Sequence, residues 1–120
     1  MKRKVFFTLI HKRNFIGVKQ VDGFEFIINN TEFYGYVDNE KNKAYIIDPK
    51  TGRSIYDLPV FDDYQGINAI KYTVDSLIED EYILEAFELK RHTEKYELME
   101  KSFNSLLHGA ELEKRCKQVS

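Results

Sequence analysis

The hydrophobic period changes once along this chain, at Pro59, and that change limits the fold more than any other feature. From Lys4 to Leu58 the apolar residues are β-branched or aromatic, come in short runs and are separated by turn residues, the pattern of antiparallel strands. Beyond Pro59, Ile67, Ile70, Val74, Leu77 and Ile78 recur at helical spacing and make one apolar stripe. Strands followed by helices describe an α+β domain. We expect an N-terminal antiparallel meander of five or six short strands packed against two or three C-terminal helices. A 14.2 kDa chain is the size of one core, so residues 1–120 read as a single domain. Its β-sheet half covers 1–58, its helical half 62–108, and the polar tail 110–120 is expected to fray.

Within the first half, Asp22-Gly23 is the clearest turn signal, because the pair supplies the two positive-φ positions of a type I′ turn. That turn would set Val21 opposite Phe24 and place Phe15, Val21, Phe24, Phe26 and Ile28 on one face, the expected core face. Two more strands follow, about 32–37 and 43–48, joined by the polar loop Asp38–Asn42, with Tyr34 and Tyr36 alternating with Phe33, Gly35 and Val37. In the second half, Asp62 or Asp63 is suited to cap the first helix, with Gln65 at capping-box distance from Asp62. The acidic Glu79-Asp80-Glu81 suits the positive N-terminus of a second helix that presents Ile83, Ala86 and Phe87. Apolar spacing resumes at Leu98, Met99, Phe103, Leu106 and Leu107. Gly109 then reads as a stop, with His108 as a cation at the negative helix end. Residues 80–108 are one bent helix or two with a break near 91–94.

Catalytic fragments do not accumulate. Lys50-Thr51-Gly52 occurs in serine β-lactamases together with Ser-x-x-Lys and Ser-Asp-Asn elements, and neither is present. In the aspartyl-phosphate motif of P-type ATPases Asp precedes Lys-Thr-Gly directly, whereas Pro49 intervenes here; a P-loop needs its glycine before the Lys-Ser/Thr. A hairpin turn accounts for Asp48-Pro49-Lys50-Thr51-Gly52: Asp first, Pro with φ preset, Gly left-handed. This turn pairs 45–47 with 53–56 and leaves Lys50 and Arg53 as an exposed basic tip. Glu88 and His92 stand four apart on a helix, which makes an exposed polar pair; a third metal ligand is missing. Cys116 has no partner for a disulfide and no clustered cysteines for zinc. We therefore expect no catalytic residues, no metal and no cofactor.

Charge and composition point to binding. The net charge of −2 conceals a basic start and an acidic helical half. Lys2, Arg3, Lys4, Lys12, Arg13 and Lys19 precede any acid, while Glu81, Glu85 and Glu88 belong to a dense acidic run. The two ends either attract one another across the fold, lie solvated, or meet partners. Eight tyrosines and nine phenylalanines favour an interface, where Tyr and Phe concentrate. The first functional expectation is thus a small non-catalytic protein-binding module using Tyr34, Tyr36, Lys50, Arg53, Glu81, Glu85 and Glu88. Heavy use of Lys, Asn, Ile, Tyr and Phe is what AT-rich coding produces, and it fits a phage or mobile-element accessory protein that occludes a host macromolecule. The alternative is nucleic-acid binding by the sheet, with the six basic residues on phosphates and aromatic rings on bases. A third expectation is an oligomeric structural protein that pairs through its C-terminal helices. The apolar start ends after Ile10, too short for a secretory signal, and no apolar run reaches membrane-span length, so a cytoplasmic protein without membrane contact is expected.

Overall fold

The computed structural model describes residues 1–61 and 65–119, with side chains described to residue 112. Five strands, β1 (Lys2–Lys12), β2 (Phe15–Ile28), β3 (Thr31–Asp38), β4 (Lys43–Ile47) and β5 (Ser54–Pro59), precede α1 (Ile67–Glu79), α2 (Glu81–Lys90) and α3 (Glu94–Val119). The sheet order is β1-β2-β3-β4-β5 and every neighbouring pair is antiparallel. The expected α+β meander with C-terminal helices is therefore present, with five strands, three helices and a helix break at residues 91–93 among the described residues. Asp62 and Asp63, the expected caps of α1, lie outside the described residues.

The expected turn at Asp22-Gly23 is not there. β2 runs straight through it, with Lys4 opposite Gly23 and Val5 opposite Asp22. The chain reverses instead near Arg13-Asn14 and at Asn29-Asn30, where φ values of 50° and 64° make the left-handed pair of a type I′ hairpin turn. Asn tolerates that region because its short amide bonds locally. Gly23 serves another need. A Cβ there would lie 2.1 Å from the Gly35 carbonyl oxygen, so only glycine lets β2 and β3 approach this closely. The corrected register splits the expected core face: Phe24, Phe26 and Ile28 do face the helices, but Val21 packs on the opposite side and Phe15 is exposed.

Alternation along β3 and β4 gives the sheet two working faces. Phe33 and Ile46 meet Ile70, Val74 and Leu77 of α1 in the main core, with Ile28. Tyr36 and Ile47 point the other way and are covered by Phe6 of β1. The sheet curls to achieve this. The Leu9 N–H and the Thr8 hydroxyl both donate to the Gly52 carbonyl, each at 2.9 Å, so the first strand closes onto the β4–β5 turn.

That turn has the expected chemistry and an unexpected position. Asp48 Oδ1 accepts the Lys50 N–H at 3.1 Å, its Oδ2 accepts the Thr51 hydroxyl at 2.9 Å, and Gly52 has φ 68°. However, Asp48 and Thr51 are buried, because the Tyr96 hydroxyl of α3 also donates to Asp48 Oδ2 at 2.6 Å. Burial, then the bond to Asp48, pushes the Tyr96 phenol above its ordinary value. The bond joins turn to helix. Tyr96→Phe removes one donor from a buried carboxylate, and thermal unfolding should register a loss of about 1–3 kcal/mol.

α3 continues beyond Gly109 to Val119, against the expected stop. Gly109 has no positive φ, and Ala110, Glu111 and Leu112 after it are strong helix formers. His108 accordingly sits within the helix, away from its end. Of the apolar residues that α2 presents, Ile83 and Phe87 pack on the core together with Leu84, and Ala86 is exposed.

Candidate functional site

The residues singled out by sequence fall into three places. Glu81, Glu85 and Glu88 stand on α2 at positions i, i+4 and i+7, which aligns them in one row. The row lines a groove of about 950 Å³ between α2 and the Asn29-Asn30 turn, over Ile28 and Phe33. α2 itself has no buried residue. It is held by half-buried contacts: Phe87 lies 5.5 Å from Phe33, and Arg91 Nη1 donates to Thr31 Oγ1 at 3.2 Å and to Glu88 Oε2 at 3.1 Å. His92 Nε2 is 3.4 Å from Glu88 Oε1, the exposed polar pair expected from their spacing.

Beside the glutamate row, seven residues apart and so on one face, are Tyr82 and Leu89. They are 77% and 75% exposed, the two most exposed large apolar side chains among the described residues. Sequence reasoning passed over both. Each looks like part of a core stripe, and only the packing of Ile83, Leu84 and Phe87 shows that the core lies on the other side. Their seven-residue spacing, away from Ile83 and Phe87, was the available signal.

Tyr34 and Tyr36 belong to the face turned from the helices. Phe6 is 4.7 Å from Tyr34, and Tyr36 stacks on Tyr45 at 5.4 Å with an 18° interplanar angle. The ammonium of Lys4 sits 5.2 Å over the Tyr34 ring and that of Lys19 5.5 Å over Tyr36. Lys4 also pairs with Glu25 at 3.5 Å, Lys19 with Asp38 at 3.6 Å, and Arg3 with Asp22 at 3.1 Å. Half of the basic N-terminal set is thus matched within the sheet, not against the acidic helices. Lys2, Lys12 and Arg13 remain exposed. Burial would raise the Asp38 carboxyl, but the Lys41 and Glu40 backbone N–H groups and the Lys19 ammonium outweigh it and hold it below the usual range.

Burial, reinforced by Asp38 and Tyr45, pushes the Tyr36 phenol up to about 12 from 10.0. Below pH 10.0 both folded and unfolded chains keep this proton, so its stabilising effect is complete. As pH rises from 10.0 towards 12 the unfolded chain ionises first, and that stability is lost. Thermal unfolding at stepped pH should show no loss from this group below 10 and a decline above it; Tyr36→Phe should flatten part of that decline.

Lys50 and Arg53 carry exposed side chains on a turn whose backbone is docked, so the basic tip is two side chains and not a free loop. Of the expected oligomer stripe, Phe103 is buried against the Gly52 turn, Met99, Leu106 and Leu107 are half-buried, and Leu98 is exposed. Part of that stripe is therefore already used within the chain. Among the described residues no three His, Cys, Asp or Glu side chains are grouped to hold a metal ion, and no described helix is long and apolar enough to cross a membrane. The chain matches no family model, no curated protein and no solved structure.

Proposed function

We propose that this chain is a non-catalytic protein-binding module that docks through α2 into an apolar pocket of a partner protein rimmed with basic residues. The observation that carries this is the pairing of Tyr82 and Leu89, displayed to solvent, with the parallel row Glu81, Glu85 and Glu88. Exposed aromatic and aliphatic anchors on a helix crest suit insertion into a groove. The glutamates suit steering towards positive charge. A pocket of that kind is what proteins that hold nucleic acid present, so occupying it would exclude the natural ligand, the mode expected of a phage or mobile-element accessory protein. The sheet-based nucleic-acid reading has less support, since Arg3, Lys4 and Lys19 already pair with acids and two of them cover the Tyr34 and Tyr36 rings.

Rim charges act mainly on association rate and its salt dependence. Surface plasmon resonance on the captured partner should show Glu81→Gln/Glu85→Gln/Glu88→Gln slowing association about tenfold at low salt, with a smaller difference at high salt as screening takes over. An association rate that neither salt nor these substitutions alter would remove the electrostatic half of the proposal.

A further inference from the structure

The curled face of the sheet carries a second place where binding chemistry collects. A chamber of about 170 Å³ is bounded by the stacked Tyr36 and Tyr45 rings and by Lys12, Lys19, Lys41 and His11. It adjoins an outer trough of about 550 Å³ that shares Lys12, Lys19, Tyr36 and Lys41. Among the described residues no carboxylate lines the smaller chamber. Asp38 stands in the outer trough, engaged by Lys19 at 3.6 Å and by the backbone N–H groups of Glu40 and Lys41 at 3.0 and 3.1 Å; Asp22 and Glu40 stand there as well. Lys12 and Lys41 take part in no ion pair among the described residues. Three lysines and two tyrosines therefore line one small space, with Lys19 shared with Asp38 of the adjoining trough.

We propose that this chamber binds the phosphate monoester of a small molecule. A monoester dianion offers three strong acceptor oxygens, which matches the ammonium groups of Lys12 and Lys41, supplemented by tyrosine hydroxyls and by Lys19, which shares its charge with Asp38. Tyr36 stays protonated well above neutral pH, so its hydroxyl is a donor and not a competing charge. The chamber holds the volume of roughly six waters, enough for a phosphate head group, while the adjoining trough takes the remainder of a compact ligand. A phosphodiester carries one charge and two non-bridging oxygens per phosphate, a poorer match to the same donors. This site shares no residue with the α2 crest and stands or falls independently of it.

Amide NMR titration at constant ionic strength tests the proposal, with inorganic phosphate, adenosine monophosphate, adenosine, and a short single-stranded oligonucleotide lacking a terminal phosphate. The expected result is saturable shifts at Lys12, Lys19, Tyr36, Lys41 and Tyr45 with phosphate and the monophosphate, a dissociation constant near or below about 1 mM, and none with adenosine. Lys12→Gln/Lys41→Gln should weaken that binding about tenfold or more, and Lys2→Gln, remote from the chamber, should leave it unchanged. Non-saturating shifts spread over all exposed lysines, or binding indifferent to the Lys12/Lys41 substitutions, would overturn it. Tighter binding of the oligonucleotide than of the monophosphate would also overturn it, in favour of a nucleic-acid surface.

Discussion

Gly52→Ala is expected to lower stability by about 2–5 kcal/mol, a large fraction of what holds a domain of this size together. Two costs combine. At φ 68° an alanine pays roughly 1–2 kcal/mol for the left-handed conformation. Its Cβ would also stand 2.2 Å from Phe103 Cε1 and 2.5 Å from Cζ, on a ring that is itself buried and has little room to retreat. Overpacking of that kind costs about 1–3 kcal/mol more. The Gly52 carbonyl also receives β1 through Leu9 and Thr8, so displacing the turn loosens the strand and α3 together. Urea unfolding measures the effect, and a double-mutant cycle identifies its source. Phe103→Ala alone should cost about 3–5 kcal/mol, while the double variant should cost clearly less than the sum because the ring that the added methyl strikes is gone. Strict additivity would show that the clash contributes nothing.

This turn also shows what was legible in the sequence. Asp48, Pro49, Thr51 and Gly52 do local work, and local work is written in consecutive residues, so the hairpin and the pairing of β4 with β5 follow from the sequence. The burial of the turn was not legible, because Tyr96 lies 48 positions away. Asp22-Gly23 misled for the same reason: its glycine answers to the carbonyl of Gly35 on another strand, while Asn29-Asn30, with the left-handed tolerance of Asn, makes the turn. Gly109 misled because a glycine after an apolar run resembles a helix stop, whereas the residues following it extend α3. Of the candidate site, Glu81, Glu85 and Glu88 are singled out by charge alone. Tyr82 and Leu89 are not, since exposure depends on which side of α2 meets the sheet.

The second large effect concerns those two side chains. Truncating anchors at the centre of an interface typically costs about 2–4 kcal/mol each, so Tyr82→Ala/Leu89→Ala should weaken partner binding by roughly a thousandfold or more. The same pair contributes almost no packing to the chain itself, being 77% and 75% exposed, and the melting temperature should move little. That separation of binding from stability distinguishes a docking surface from a merely solvent-facing helix.

The most direct measurement is parallel affinity capture from host cells with the wild-type chain, with Tyr82→Ala/Leu89→Ala and with Lys12→Gln/Lys41→Gln, followed by quantitative mass spectrometry and calorimetry on the protein identified. The account predicts a partner with a basic, apolar-floored site that the wild type and the lysine variant both retain, and that the α2 variant loses while remaining folded. A partner held equally by all three chains would contradict it.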